Sequence, residues 1–320
     1  MRWKSPRALA SLGVLGMNAR NRHYIARHNA RSTFPLVDDK LRTKRLLERH
    51  GIPAPRLLFV VDTQREIRDV ETRLARARGF CIKPAKGSGG KGILVVLRHE
   101  QDRFVKASGV EVGIEAIRRH MSNALAGLFS LGGDPDKVIV EERIEPSPIF
   151  DDLSFEGVPD IRIVVYRGYP VMAMLRLATH ASDGRANLHQ GAVGVGIDIA
   201  TGRAAHAVQH ARLVERHPDT GRPLHEVCIP DWRDMLRLAS RCHEITGLGY
   251  LGADLVLDAR RGPQILELNA RPGLAIQVAN GCGLLPRLRA VEQRLEQGDE
   301  AIDDRIDYAR ATFTVPPIRR

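Results

Sequence analysis

Three oxygen-bearing side chains lie close together on what read as two apolar strands near the C-terminus. The first strand contains Gly252-Ala253-Asp254-Leu-Val-Leu257; after an Arg-Arg-Gly-Pro turn, the second contains Gln264-Ile-Leu-Glu267-Leu-Asn269-Ala-Arg271-Pro-Gly. Strand period 2 puts Glu267 and Asn269 on one face and Leu266 and Leu268 on the other, and Asp254 reaches the same place from the partner strand. Two carboxylates and an amide oxygen so placed repel one another and lose solvation unless a cation sits among them. A hard divalent ion such as Mg²⁺, with Mn²⁺ as its substitute, shared with phosphate oxygens, is the expected occupant.

A second chemical segment is Phe80-Cys-Ile-Lys83-Pro, followed by Ala85-Lys86-Gly87-Ser88-Gly89-Gly90-Lys91-Gly92 and Ile93-Leu-Val-Val-Leu97. It fails as a P-loop, because Lys91 precedes Gly rather than Ser or Thr and a β-like run follows where a helix should begin. It reads instead as a hairpin with a glycine tip. Such a tip can fold over phosphates, using free N–H groups and Lys86 or Lys91, with Lys83 pointing inward from the incoming strand. Glycine turns with lysines also serve as plain connectors.

Asp160-Ile-Arg162 opens another strand, and Arg176 ends the next one. Asp160 and Arg162 share a face, and both arginines have the donor fork that suits a carboxylate or a transferring phosphoryl group, although surface ion pairing is the common fate of arginine. Arg185-Ala-Asn187-Leu-His189-Gln-Gly is a dense polar loop, in which Asn187 serves either substrate contact or a simple turn. His180 and His189 read first as structural, with general-base work as the alternative.

These residues need elements to hold them. Residues 39–50 have helical apolar spacing with Asp38 or Asp39 as cap and Gly51 as stop; 57–61 is a strand; 63–78 and 111–130 read as helices; 138–140 is a strand running into Glu141 and Glu142. Strands follow at 161–166, 170–177 and 192–198, then a helix at about 231–247 and the two strands of the acidic pair. The Pro-, Asp- and Ser-rich segment 146–159 reads as a loop or flap.

With 320 residues, 43% hydrophobic and 27% charged, the chain suits an enzyme-sized globular fold, and no apolar run approaches the roughly 20 residues of a membrane helix. Cys81, Cys228, Cys242 and Cys282 are scattered without zinc or disulfide spacing, which fits a reducing cytoplasm. The net charge of +11 is concentrated in residues 1–50, where twelve Lys/Arg meet three acids. That stretch reads either as an electrostatic dock or as an arm packed on the body; with no aromatic platform, no stable nucleic-acid role is expected. Residues 8–16 behind Arg2, Lys4 and Arg7 read as an ordered or peripheral segment rather than a signal peptide.

Taken in order, Lys83-Pro with its glycine hairpin, Val-Ile-Val-Glu-Glu142, Asp160-Ile-Arg162, Arg185-Ala-Asn187-Leu-His, Gly-Ala-Asp254 and Leu-Glu267-Leu-Asn269-Ala-Arg-Pro-Gly resemble the ATP-grasp superfamily. Within it the likeness is to RimK-type α-L-glutamate ligases, over about residues 36–290. The resemblance implies an α+β fold of two lobes with antiparallel sheets clasping ATP, here without the usual full domain ahead of them. The implied division is a basic arm at 1–35, a small lobe at 36–137, a large lobe at 138–300 and a tail at 301–320.

It also implies roles. Lys83 would contact the α/β-phosphates under the 86–92 hairpin, with Lys86, Gly87, Ser88, Gly89, Gly90 and Lys91. Glu141, Glu142, Arg143 and Ile144 would hold adenine, and Asp160 the ribose. Arg185 and Asn187 would lie near the triphosphate, and Arg162, Arg176 and Arg271 would serve the reacting groups. Asp254, Glu267 and Asn269 would bind Mg²⁺. The implied activity is ATP-dependent carboxylate–amine ligation, joining an amino acid such as glutamate to an amine or carboxylate acceptor on a peptide, protein or small molecule, through an acylphosphate. A phosphotransferase without amide formation, or a non-catalytic ATP-binding partner protein, are the alternatives.

Overall fold

A computed structural model describes residues 5–87, 89–100 and 103–315. Ser88 therefore lies outside the described residues. The chain divides into two compact units, one spanning Asp38–Glu145 and the other built from Met1–Val37 together with Pro146–Arg320.

The first unit is an antiparallel sheet of six strands: β1 (Leu57–Val61), β2 (Phe80–Pro84), β3 (Leu94–Glu100), β4 (Arg103–Lys106), β5 (Glu111–Gly113) and β6 (Val138–Glu142), in the order β1-β6-β2-β3-β4-β5. Its longer helices are α1 (Lys40–Arg49) and α2 (Ile114–Leu125). Asp39 caps α1 by accepting from the Leu41 and Arg42 amides at 2.9 and 3.2 Å, and Gly51, at φ +59°, lies just beyond its end. Alternation along β6 sends Val138 and Val140 into the main core with Phe80, Ile82, Ile117 and Met121. Ile139 turns the other way, to Leu41 of α1 and Ala85.

Three sequence expectations change here. The 111–130 helix begins at Ile114, because Glu111–Gly113 pairs with β4 as an edge strand. The 63–78 helix is a 3₁₀ turn at Arg65–Asp69 followed by a short α-helix at Val70–Leu74. The boundary expected at 137/138 falls after Glu145, because β6 pairs with both β1 and β2 and so belongs to this sheet.

The second unit holds a seven-stranded antiparallel sheet: β7 (Asp160–Tyr166), β8 (Tyr169–Leu177), β9 (Val193–Ile197), β10 (Ala204–Gln209), β11 (Arg212–Leu213), β12 (Tyr250–Asp258) and β13 (Gly262–Asn269), in the order β11-β10-β9-β8-β7-β12-β13. Every residue of β12 is buried, as expected of a strand covered on both faces. Helix α3 (Trp232–Thr246) packs on β7, β12 and β13, and α4 (Leu285–Leu295) and α5 (Ile302–Thr312) follow. Residues 301–315 are thus not a loose tail: α5 packs on α3 and β8. The 146–159 segment is likewise tied down, with Phe150 and Leu153 buried and the Ser147 and Phe155 amides donating to the Leu257 and Ala178 carbonyls at 2.9 Å.

The expected basic arm is an integral part of this unit. Leu15, Tyr24, Ile25 and Val37 are buried, and Tyr24 stands edge-on to Tyr166 at 5.4 Å. Gln277 accepts from the Leu15 amide at 2.7 Å and donates to its carbonyl at 3.1 Å. Asn29 accepts from the Tyr250 amide at 2.9 Å and donates to the Tyr250 and Ala270 carbonyls at 2.7 and 3.1 Å. Its amide thus satisfies backbone groups of Tyr250 and Ala270 with one side chain. Arg20, at the start of a π-helical turn (Arg20–Ile25), donates to the Pro272 carbonyl at 2.8 Å.

Candidate functional site

The second unit gathers four charges on three adjoining strands, β8, β7 and β12. Asp160 on β7 lies opposite Arg176 on β8, and Arg162 on β7 lies opposite Asp254 on β12. Arg162 donates Nε and Nη2 to the two oxygens of Asp254 at 2.7 and 2.6 Å, a fork-to-fork pair. Arg176 bridges the acids, Nε to Asp160 at 2.5 Å and Nη2 to Asp254 at 2.9 Å. Asp160 and Asp254 are buried at 6% and 2% exposure, so the two acids need both guanidiniums, and the cluster sums to zero.

Burial raises the Asp254 pKa, but the Arg162 and Arg176 guanidiniums outweigh it and hold the carboxyl below its ordinary value. Asp160 goes the other way: burial, with the Asp254 charge adding to it, outweighs Arg176 and pushes it up to about 6.

Asp254 faces Glu267 in register across β12 and β13, and a bulge at the next step leaves Leu266 between the paired positions Glu267 and Ile265. The bulge turns the strand end beside this cluster. Asn269 closes the group, its amide donating to Asp254 at 3.2 Å. The structure thus brings together Asp160, Arg162, Arg176, Asp254, Glu267 and Asn269. It corrects one step of the sequence argument: the counter-charge that Asp254 requires comes from two arginines. Asp254, Glu267 and Asn269 are hard-oxygen donors of the type Mg²⁺ takes, and they fit that ion by chemistry; Asp254 would have to exchange a guanidinium for it. Among the described residues no group of three or more His, Cys, Asp or Glu is placed to hold a metal.

Other expected residues stand apart in their contacts. Arg185, half exposed, pairs with Asp183 at 3.5 Å. Asn187 accepts from the His189 amide at 3.0 Å and caps a 3₁₀ turn, the turn-forming role. The His180 ring lies against Phe155, with ring centroids 3.5 Å apart, and its amide donates to Asp219. Arg271 places its guanidinium 4.7 Å from the centre of the Phe34 ring, so the residues before α1 meet the loop that follows Asn269.

The first unit gathers a separate set. Lys83, at 8% exposure, pairs with Glu141, at 2%. Lys44 of α1 reaches the same carboxylate and also donates to the Pro55 carbonyl. Burial raises the Glu141 pKa, but the two ammoniums outweigh it and hold the group below its ordinary value. The glycine hairpin needs its glycines: Gly89, Gly90 and Gly92 have φ of 62°, 76° and 73°. Lys40 donates to the Gly87 carbonyl at 2.5 Å and His120 to the Gly92 carbonyl at 2.9 Å, fixing both feet of the tip. The Lys86 amide donates to Asp136 at 2.9 Å, while the Lys86 and Lys91 side chains lie on the surface. Glu142 pairs with Arg56 at 2.5 Å, and Arg143 with Glu145 at 3.4 Å, near the end of the unit that also includes Ile144.

Lys40 and Lys44 escaped the sequence reading. Their signal was spacing i, i+4 on α1, which puts two lysines on the helix side that also carries the buried Leu41, Thr43 and Leu47, away from the exposed Arg42, Arg45 and Arg49.

The family model for sugar-transfer associated ATP-grasp proteins matches residues 19–293. The chain belongs to this ATP-grasp family. The ATP-grasp fold expected from the motifs, α+β with two antiparallel sheets, is the fold observed. The probable alpha-L-glutamate ligase of Aeromonas salmonicida is 27% identical over 76% of this chain and 59% of its own length. The corresponding Syntrophotalea carbinolica protein is 27% identical over 81% and 65%. The chain therefore spans less than two thirds of the length of these curated relatives. A solved D-cycloserine synthetase aligns at a TM-score of 0.48 with 17% identity, over 82% of this chain and 71% of that one. Among the described residues no helix is long and apolar enough to cross a membrane.

Proposed function

We propose that this ATP-grasp protein is an ATP-dependent carboxylate–amine ligase acting in a reducing cytoplasm, where its free cysteines are at home. A carboxylate oxygen attacks the γ-phosphorus of ATP, ADP leaves, and an acylphosphate forms. An amine then adds to the acyl carbon, phosphate departs, the amine proton passes to solvent or a nearby base, and an amide remains. The observation that carries this reading is the neutral buried cluster of Arg162, Arg176, Asp160 and Asp254 beside Glu267 and Asn269 in a chain similar to glutamate ligases.

Arg162 and Arg176 present fixed donor forks, and anionic substrate oxygens would take over donors that Asp254 and Asp160 now hold in place. Lys83, with Lys40 and the hairpin amides, serves the phosphate chain; Glu141 through Ile144 serve adenine; Asp160 serves the ribose. Arg185, Asn187 and Arg271 are assigned to the reactants' periphery. Mg²⁺ would be held by Asp254, Glu267 and Asn269 and would supply neutralisation of phosphate charge. Glutamate is the first amino acid to offer, given the relatives' names, with a peptide, protein or small molecule bearing an amine or a carboxylate as the acceptor.

The test is ADP release with amino acids and candidate amine acceptors, read together with mass spectrometry of products. ADP that appears only when both substrates are present, with a product lighter than their sum by one water, is the expected result. ADP released with a carboxylate alone and no amide would replace ligation by simple phosphoryl transfer.

A further inference from the structure

The Lys83–Glu141 pair has a third member that neither the motif nor the proposed chemistry uses. Lys44 sits four residues after Lys40 on α1, and its ammonium reaches the carboxylate that Lys83 holds from β2. Lys83 and Glu141 are diagonal neighbours on β2 and β6, since Lys83 is in register with Ile139 and Cys81 with Glu141. All three side chains are enclosed: the two lysines are 11% exposed and the glutamate 3%. The cluster holds two cations and one anion.

We propose that Lys44 is a positioning residue for nucleotide capture, the group that keeps Glu141 neutralised while Lys83 turns to a phosphate. The inference rests on Lys83 serving the phosphate chain. With a single lysine, Glu141 and Lys83 would form a one-to-one buried pair, and a phosphate could take Lys83 only by stranding a buried carboxylate, which the interior does not tolerate. With Lys44 present that cost disappears, because Glu141 keeps one ammonium throughout. Lys44 is suited to staying behind: the Pro55 carbonyl accepts from the same nitrogen, so it is held at two points.

The test is calorimetric titration of the full chain with ATP, for wild type and for Lys44→Met, Glu141→Gln, Lys44→Met/Glu141→Gln and Lys83→Met, with melting curves for each. Lys44→Met is expected to weaken ATP at least tenfold, since Glu141 then pins Lys83. Glu141→Gln removes the pinning charge, so the double variant should bind ATP within threefold of Glu141→Gln alone. A purely structural lysine would not be rescued in this way. Wild-type affinity in Lys44→Met overturns the proposal, as does a double variant weaker than Glu141→Gln by the full tenfold. Should Lys44→Met fail to fold, the comparison of the double variant with Glu141→Gln decides alone. Lys83→Met separates the two layers: undiminished ATP binding there removes the phosphate reading itself, whereas its loss alongside an unaffected Lys44→Met removes only the role of Lys44.

Discussion

Asp254→Asn is the most searching single change to the arginine cluster. The side chain keeps its shape but loses its charge, so Arg162 loses its buried carboxylate partner and Arg176 keeps Asp160. The bonds from Arg162 at 2.7 and 2.6 Å and from Arg176 at 2.9 Å, all at a carboxyl only 2% exposed, lose their charge assistance, and those at one of the two oxygens are lost outright because the amide puts an NH2 there. Removing one partner of such a buried pair costs about 3–5 kcal/mol. For a unit of this size each kcal/mol moves the melting temperature by roughly 2–4 °C, so a fall on the order of 10 °C is expected. Calorimetry measures the shift, and hydrogen exchange locates it: amides of β7 and β12 should lose protection while those of β2 and β6 keep theirs. Asp254→Asn/Arg162→Met, which restores the charge balance, should recover a good part of the loss. A melting temperature within about 2 °C of wild type would refute the argument that these arginines are what makes Asp254 tolerable.

Glu267→Ala should abolish Mg·ATP-dependent ADP release while leaving the melting temperature nearly unchanged, because this side chain is only half buried; turnover at the wild-type rate would sink the metal assignment. Glu141 has a folded pKa held below its ordinary 4.5, so its pairs contribute stability above about pH 4.5 that is lost as pH falls through the depressed value. A urea midpoint measured from about pH 5 to pH 3 should therefore fall more steeply in wild type than in Glu141→Gln. Alkylation of the native chain should mark Cys228 first, since it is exposed, while burial pushes the Cys81 and Cys242 thiols up to about 11 and 12; rapid labelling at Cys81 would contradict its enclosure. Asn29→Ala removes three buried hydrogen bonds and should cost about 2–4 kcal/mol by denaturant titration, with an unchanged midpoint as the refuting result.

The strands that carry Lys83, Asp160, Arg162, Arg176, Asp254 and Glu267 were legible because each is a short β-branched or leucine-rich run punctuated by glycine or a charged residue. Their antiparallel pairing followed from the tight turns between them. What could not be read was what neutralises each acid. Asp254 calls for positive charge, but nothing local in the sequence says whether a metal or Arg162, 92 residues away, supplies it. The first 37 residues left two readings open for a related reason: their arginines dominate the composition, while Leu15 and Asn29 depend on partners over two hundred residues downstream. Lys44 was hidden in the same way, as one more cation on a basic helix. The polar loop at Arg185 and Asn187 left two roles open, because polar density does not distinguish a capped turn from a binding loop.

The unit that carries the arginine cluster is assembled from two stretches of chain with the other unit inserted between them. On a ribosome adding about 5–20 residues per second, Asn29 emerges some 10 to 45 s before Tyr250, its partner 221 residues later. For that interval the inserted unit can already complete its sheet, whereas Leu15, Tyr24 and Ile25 must wait in water with their polar neighbours unsatisfied. The early segment is thus apolar chain that stays exposed during synthesis until β12 is made, a cost set by the order of the chain rather than by the finished fold.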